Sequence, residues 1–470
     1  MKGLSPYRSR LIEGNRREYK EKYLSLKWLS EKQALEAART REEILSFLNT
    51  HAAFGYQGTK VDCTRLSPGC EICGDGSWSC LFVNGKCNCS CFYCPTRQDD
   101  IGLPTTNRVT FPGPGDYLDY LEEFNFKGVG FSGGEPLLTP EITIAYISAV
   151  KKRFGDGIYV WLYTNGTLAK KDMIQKLSDA GLDEIRFDIG ATGYSLEAAS
   201  GAVGHIPHVT VEVPAIPEDF ETMKEKIPEM HDRGIDFLNL HQLRLTPHNY
   251  SNLVKRNYTY LHGEKVTVLE SETAALNLIR HVHENRIPLP VNYCSFVYKN
   301  RFQKAAARKR SAEHITKPYE DITKNGYIRS LCLSGKADDI KKQIDRFRLG
   351  GFDEGSWAVN ASGDRLSFSR HLWGLIDFSG MHLSVGYHEA LILPTLTYQN
   401  PFREIRLNKN RKIVVEKMRS GPQIELSGDE LPVFEEIAFN STSIPAWDNV
   451  GHIEEICRHE HIPSGLQEYF

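Results

Sequence analysis

Cys87-Asn88-Cys89-Ser90-Cys91-Phe92-Tyr93-Cys94-Pro95 is the stretch on which the reading of this chain turns. Cys87, Cys91 and Cys94 stand at i, i+4 and i+7, on a loop directly after a strand that starts near Leu81. Three thiolates so spaced can wrap one face of a cubane cluster. They leave one of its four metal corners without a protein ligand, open to something else. Spacing alone keeps a rival alive: Cys70-x2-Cys73 and Cys91-x2-Cys94, 17 residues apart, also suit structural zinc.

Around this stretch the cysteines are unevenly placed. Of 11 in 470 residues, eight lie between Cys63 and Cys94. Disulfide frameworks belong to small secreted chains, so such crowding points to thiolate ligation of metal. Cys294, Cys332 and Cys457, taken singly, read as small buried hydrophobes. With 40% hydrophobic and 25% charged residues and a net charge of −3, the chain reads as an ordinary globular protein with a large core. That balance argues against a strongly basic surface. No run of 18 apolar residues exists. The charged amino-terminal stretch lacks the apolar segment of a secretory signal, so a cytoplasmic protein is expected.

Working outward, residues 1–80 read as a helical arm and a Cys-rich segment. Ser30 is placed to cap a helix reaching about Leu48, with Leu35, Ala38, Leu45 and Leu48 on one stripe. Residues 57–80 are expected to be irregular. From residue 81, β-branched and aromatic runs begin near Leu81, Val129, Ile158, Ile185, Val209 and Phe237, with amphipathic stretches between. Thr139-Pro140-Glu141 reads as a helix start with Thr139 as N-cap. This rhythm predicts an α/β fold: a partial (β/α)6 TIM-like barrel over 81–320, with ligands at the carboxyl ends of its strands. Residues 321–470 are expected to form an α+β C-terminal domain. Within it, residues 402–470 read as a hairpin and two small helices in a winged-helix-like module.

Three marks sit at the ends of successive strands. Phe131-Ser132-Gly133-Gly134-Glu135-Pro136 combines glycines, which permit close backbone approach, with a glutamate able to accept a hydrogen bond from an ammonium group. Tyr163-Thr164-Asn165-Gly166 ends the third strand, and Ile185-Arg186-Phe187-Asp188 ends the fourth with a carboxylate placed to reach a ribose hydroxyl. A zinc ribbon requires none of these.

At this point the chain resembles the radical S-adenosylmethionine (radical SAM) superfamily, whose signature is C-x3-C-x2-C with an aromatic residue before the last cysteine. Cys87, Cys91, Cys94 and Tyr93 match it, and Cys89 is an extra cysteine outside the ligand set. The segments LSPGCEIC, SCLFVNGKCNCSCFYCP, GLDEIRF, EVPAIP, FLNL and VNYC, across about residues 57–330, look like a largely uncharacterised branch related to the pyruvate formate-lyase activating enzyme. In that branch an aspartate often replaces Glu135. The resemblance implies a [4Fe–4S] cluster on Cys87, Cys91 and Cys94. It also implies S-adenosylmethionine contacts from Tyr93, Gly133, Gly134, Glu135, Asn165 and Asp188, with Asn239 and His241 at the sixth strand end facing the cofactor. The implied chemistry takes one electron from a donor such as flavodoxin or ferredoxin, cleaves S-adenosylmethionine to a 5′-deoxyadenosyl radical, and abstracts a substrate hydrogen.

Upstream, Cys63, Cys70, Cys73 and Cys80 form C-x6-C-x2-C-x6-C, able to hold a second [4Fe–4S] cluster or a zinc. The branch resemblance covers Cys70, Cys73 and Cys294 best, which keeps a composite site open. Lys299, Arg301, Lys304, Arg308, Lys309 and Arg310 could grip RNA or an acidic peptide, or form a solvated helix face. His371, His382 and His388 fit no ligand pattern. A peptide or protein residue is the expected substrate, with RNA and small molecules as alternatives. A zinc-binding module without catalysis is the competing class.

Overall fold

The computed structural model describes residues 6–440 and 451–469. The expected rhythm appears as parallel strands β1 (Trp78–Lys86), β2 (Gly128–Gly133), β3 (Tyr159–Thr164), β4 (Glu184–Phe187), β5 (His208–Pro214) and β6 (Phe237–His241). A seventh, β7 (Val291–Cys294), pairs parallel to β6, one strand beyond the expected six. The strands are ordered 1 to 7 across one open sheet, a partial barrel. Antiparallel strand Lys60–Val61 extends the β7 edge, and Thr105–Thr106 extends the β1 edge. The intervening helices include Pro114–Glu123, Pro140–Phe154, Lys171–Asp179, Phe220–Asp232 and Leu269–Glu284. Helices on the outer face bury that side of the strands, which is why β4 is buried at every position.

The inner face is unusual in being polar. Side chains two apart along a strand share a face. By this rule Glu184 and Arg186 of β4, Thr210 and Glu212 of β5, Asn239 and His241 of β6 and Asn292 and Cys294 of β7 point to one another, as their hydrogen bonds confirm. Helix Pro68–Gly74 packs against this face. A methyl group on Gly69 would lie 2.5 Å from Arg186 Nη2 and 2.6 Å from Glu184 Oε2, so only a glycine lets the helix in.

Several local expectations are corrected. The Cys-rich segment is not irregular throughout: Ser67 caps helix Pro68–Gly74, its Oγ accepting from Cys70 N at 3.2 Å. Ser30 does cap Glu31–His51, in a capping box with Gln33. The buried stripe, however, is Ala34, Ile44 and Leu48, and Leu35 is 65% exposed, because packing selects a face one residue away. Thr139 precedes Pro140–Phe154 without capping it; its hydroxyl accepts from Asn84 Nδ2 at 2.8 Å instead.

The chain divides into two compact units, Met1–Gln303 with Ser464–Phe470, and Lys304–Pro463. The boundary thus falls before helix Lys304–Glu313, and the last residues return to the barrel unit. There Gly465 N donates to Gln57 O at 2.7 Å, and Tyr469 Oη donates to Glu272 at 2.7 Å. The second unit is built on an antiparallel sheet containing Ile328–Ser334, Arg365–Phe368, His382–Leu393, Phe402–Arg406 and Lys412–Arg419. The hairpin of 402–419 pairs along His382–Leu393, so it belongs to this sheet and not to a separate winged-helix-like module. Residues 441–450 of that expected module lie outside the described residues. No described helix is long and apolar enough to cross a membrane.

Arg329 holds this unit together from within. It is 2% exposed and reaches Glu460 at 2.9 Å and Asp321 at 3.1 Å, while Tyr387 Oη donates to Glu460 at 2.8 Å. Removing the cation strands a buried carboxylate. Arg329→Met is therefore expected to cost about 3–5 kcal/mol, read by chemical denaturation, and Glu460→Leu in the same chain should recover much of the loss.

Candidate active site

Cys87 directly follows β1, and the sheet brings it beside the end of β2. Gly134 N donates to Asn84 O at 2.9 Å and Glu135 N donates to Lys86 O at 2.7 Å, clamping the two strand ends together. A methyl group on Gly134 would lie 2.0 Å from Lys86 O and 2.9 Å from Cys87 N. The far side of the loop is tied to the segment after β6. Asn249 Nδ2 donates to Tyr93 O at 3.1 Å and Thr246 Oγ1 to Pro95 O at 2.9 Å. Arg256 lies 3.5 Å above the Phe92 ring. Asn165, from the end of β3, donates to Asn88 Oδ1 at 2.8 Å and lies 3.7 Å from Cys87 Sγ.

Cys87, Cys91 and Cys94 are free and partly exposed on this pinned loop. Burial pushes the Cys91 thiol up to about 12 and raises that of Cys94, so metal binding here displaces protons. Among the described residues, no three His, Cys, Asp or Glu side chains are gathered closely enough for a single metal ion. A cubane takes each thiolate on a separate iron and accommodates wider spacing, so the three thiols fit it.

Glu135 departs from expectation. Its side chain is 0% exposed, and its carboxylate accepts from Leu137 N at 3.0 Å, Thr164 Oγ1 at 2.9 Å and Asn165 N at 2.7 Å. Burial raises its pKa despite these donors. The carboxylate turns inward and holds the ends of β2 and β3, and the glycine backbone forms the edge itself. Asp188 accepts from Tyr93 Oη at 2.9 and 3.0 Å. Burial pushes its carboxyl up to about 6, with Tyr93 and the N–H groups of Gly190 and Ala191 opposing.

Asn239 and His241 are committed to the barrel interior. Asn239 is 1% exposed, donates to Cys70 Sγ at 3.3 Å and Glu212 at 3.0 Å, and accepts from Asn292. His241 Nε2 meets Glu212 at 2.5 Å. Burial works against the imidazolium, as does Lys299, but Glu212 and Cys294 prevail and raise its pKa. Lys60, 0% exposed, donates to Cys294 Sγ at 3.0 Å. Burial alone would raise the Cys294 thiol; Lys60 and His241 bring it down to about 6.

Comparison with known proteins establishes the family. The Radical SAM superfamily profile matches residues 81–236, from within β1 to the residue before β6. A protein of Methanocaldococcus jannaschii named as a glycyl-radical enzyme activating enzyme is 30% identical over 294 residues, 60% of this chain and 77% of that one. The chain belongs to the radical SAM superfamily. A GTP 3′,8-cyclase of Staphylococcus aureus strain JH9 is 34% identical over 118 residues, 24% of this chain and 33% of the cyclase. The crystal structure of SuiB from Streptococcus suis aligns with a TM-score of 0.36 and 14% identity, covering 69% of this chain and 70% of SuiB. That likeness is too slight to bear on function.

Several groups of this radical SAM site escaped the motif reading. Thr246 and Asn249 lie in an irregular stretch with no period to flag them. Glu184 and Arg186 did carry a signal: two charged residues alternate with Ile185 and Phe187 along a buried strand, a pattern that marks a polar inner face. Gly134→Ala is expected to force the two strand ends apart at a cost of about 1–3 kcal/mol. Thermal melting should show the loss, and reconstitution should show impaired iron uptake on the adjoining loop.

Proposed function

We propose that this radical SAM enzyme removes a hydrogen atom from a residue of a peptide or protein. The observation that carries the radical SAM part is the thiol loop clamped against the Gly133–Gly134 edge, with Asp188 and Asn165 at the neighbouring strand ends. Cys87, Cys91 and Cys94 would hold the [4Fe–4S] cluster. When bound, the cluster supplies one electron, from a flavodoxin- or ferredoxin-type donor, to cleave S-adenosylmethionine into the hydrogen-abstracting radical.

The protein's own part is placement. The Gly133–Gly134 backbone would receive the methionine amino group, held in position by the buried Glu135. Asp188 would accept from a ribose hydroxyl, oriented by Tyr93, and Asn165 would support the loop at Cys87. A further metal centre, iron–sulfur or zinc, is proposed on the interior cysteines.

Two observations favour a protein substrate. The Methanocaldococcus relative is named for activating another enzyme. Strand Phe402–Arg406 pairs only on its Lys412–Arg419 side among the described residues, leaving an edge to which an extended peptide can add. The RNA reading loses support because Arg308 donates to Asn325 O at 2.8 Å and lies 4.4 Å over the Tyr327 ring.

Anaerobically reconstituted protein should be brown and, with reductant, should release 5′-deoxyadenosine from S-adenosylmethionine. Cys91→Ala should abolish that release; wild-type turnover in this variant would refute the assignment. Affinity for S-adenosylmethionine should also depend on pH. Asp188 accepts hydroxyl hydrogens best when ionised, so binding measured by calorimetry should weaken as pH falls through about 6. Asp188→Asn should bind weakly throughout and lose that dependence.

A further inference from the structure

The interior of the barrel carries a second set of sulfurs with features that loose thiols do not need. Cys70 and Cys73 lie one turn apart on helix Pro68–Gly74, and Cys294 ends β7. Each receives a different N–H donor: Asn239 Nδ2 to Cys70 Sγ at 3.3 Å, Gln303 Nε2 to Cys73 Sγ at 2.7 Å, and Lys60 Nζ to Cys294 Sγ at 3.0 Å. Three N–H donors from three different segments are thus aimed at three sulfurs of one interior. Donors of this kind also orient and tune metal-bound thiolates.

Lys60 adds an independent constraint. It is fully buried, donates to Cys294 Sγ at 3.0 Å and faces the Tyr298 ring at 5.1 Å. A buried ammonium requires a nearby anion. The carboxylates of this interior, Glu184 and Glu212, are engaged by Arg186 and His241. The group that Lys60 Nζ meets is the sulfur of Cys294.

We propose that Cys70, Cys73 and Cys294 ligate a polynuclear iron–sulfur centre inside the barrel, with Lys60 as its built-in counter-cation. One zinc would draw its thiolates together at Zn–S distances of about 2.3 Å. A cluster instead spreads its ligands over separate irons, which suits sulfurs supplied by one helix and by the end of β7. Cys63 stands outside the set: among the described residues no side-chain N–H donor reaches its sulfur, which meets Lys60 O at 3.8 Å. Cys80 has no comparable N–H donor among the described residues and is likewise excluded. This set differs from the C-x6-C-x2-C-x6-C spacing, which groups Cys63 and Cys80 with the other two. The inference rests on the proposal of a further metal centre and does not depend on S-adenosylmethionine cleavage.

The test begins with the triple variant Cys87→Ala, Cys91→Ala, Cys94→Ala, reconstituted anaerobically with iron and sulfide. It should retain several irons with matching labile sulfide and an electron paramagnetic resonance signal after reduction. Adding Cys294→Ala or Cys73→Ala should remove both, while adding Cys63→Ala or Cys80→Ala should not. Cys294→Ala in the otherwise wild-type chain should keep the iron of the first loop, which separates loss of this centre from loss of the fold. Lys60→Met should lower the midpoint potential of the retained signal, since a cation favours the reduced, more negative cluster, and Lys60→Arg should largely restore it. A triple variant that binds only zinc or no iron would overturn the proposal. So would dependence on Cys63 or Cys80 in place of Cys294, or a potential unmoved by Lys60→Met. A missing 5′-deoxyadenosine signal with this centre intact would count against the radical SAM assignment alone.

Discussion

The carboxylate of Glu135 is the constraint on which the site depends. A buried carboxylate is tolerated only when its oxygens are satisfied, and here two backbone N–H groups and one hydroxyl from two strand ends do so. Those bonds fix Asn165 relative to the Gly133–Gly134 edge. The edge in turn fixes the end of β1 through Gly134 N and Glu135 N, and Cys87 follows in the next residue. A residue that motif reading placed against a ligand thus acts through the backbone that would meet the ligand. Its effect on chemistry is geometric.

A second physical theme is the ionic interior. Most parallel barrels fill their centre with branched hydrocarbons. This one instead stacks Glu184, Arg186, Glu212 and His241 in alternating charge, with Lys60 against sulfur. Each ion is worth keeping only because its neighbour is present, so the interior behaves as a unit and tolerates single substitutions poorly. Such an interior does not collapse to a dry hydrocarbon core, which suits a barrel whose centre must admit polar ligands.

The sequence made the strand–helix rhythm legible because β-branched runs and amphipathic helices follow from local periodicity. The thiol loop was legible for a different reason: Cys87, Cys91 and Cys94 need only be near in sequence to share one cluster. What escaped reading depends on distant parts of the chain. Helix Pro68–Gly74 is held by an inner face assembled from β3, β4 and β6, and nothing in its glycine- and cysteine-rich composition announces a helix. Leu35 looked buried because periodicity gives a face without saying which neighbour covers it. The hairpin of 402–419 was correctly seen as a hairpin, yet its membership in a larger sheet is set by His382–Leu393, a run with no clear period. β7 was hidden in the same way, as a four-residue strand whose partner lies across a long connection.

The return of Ser464–Phe470 to the barrel unit has a consequence for the order of assembly. Everything from Lys304 to Pro463 is inserted between two parts of one folding body. During synthesis the seven strands emerge before the inserted unit, but Gln467 and Tyr469, which bond Thr267 and Glu272, emerge only after it. The growing chain must therefore hold an incomplete barrel until the intervening unit has been made.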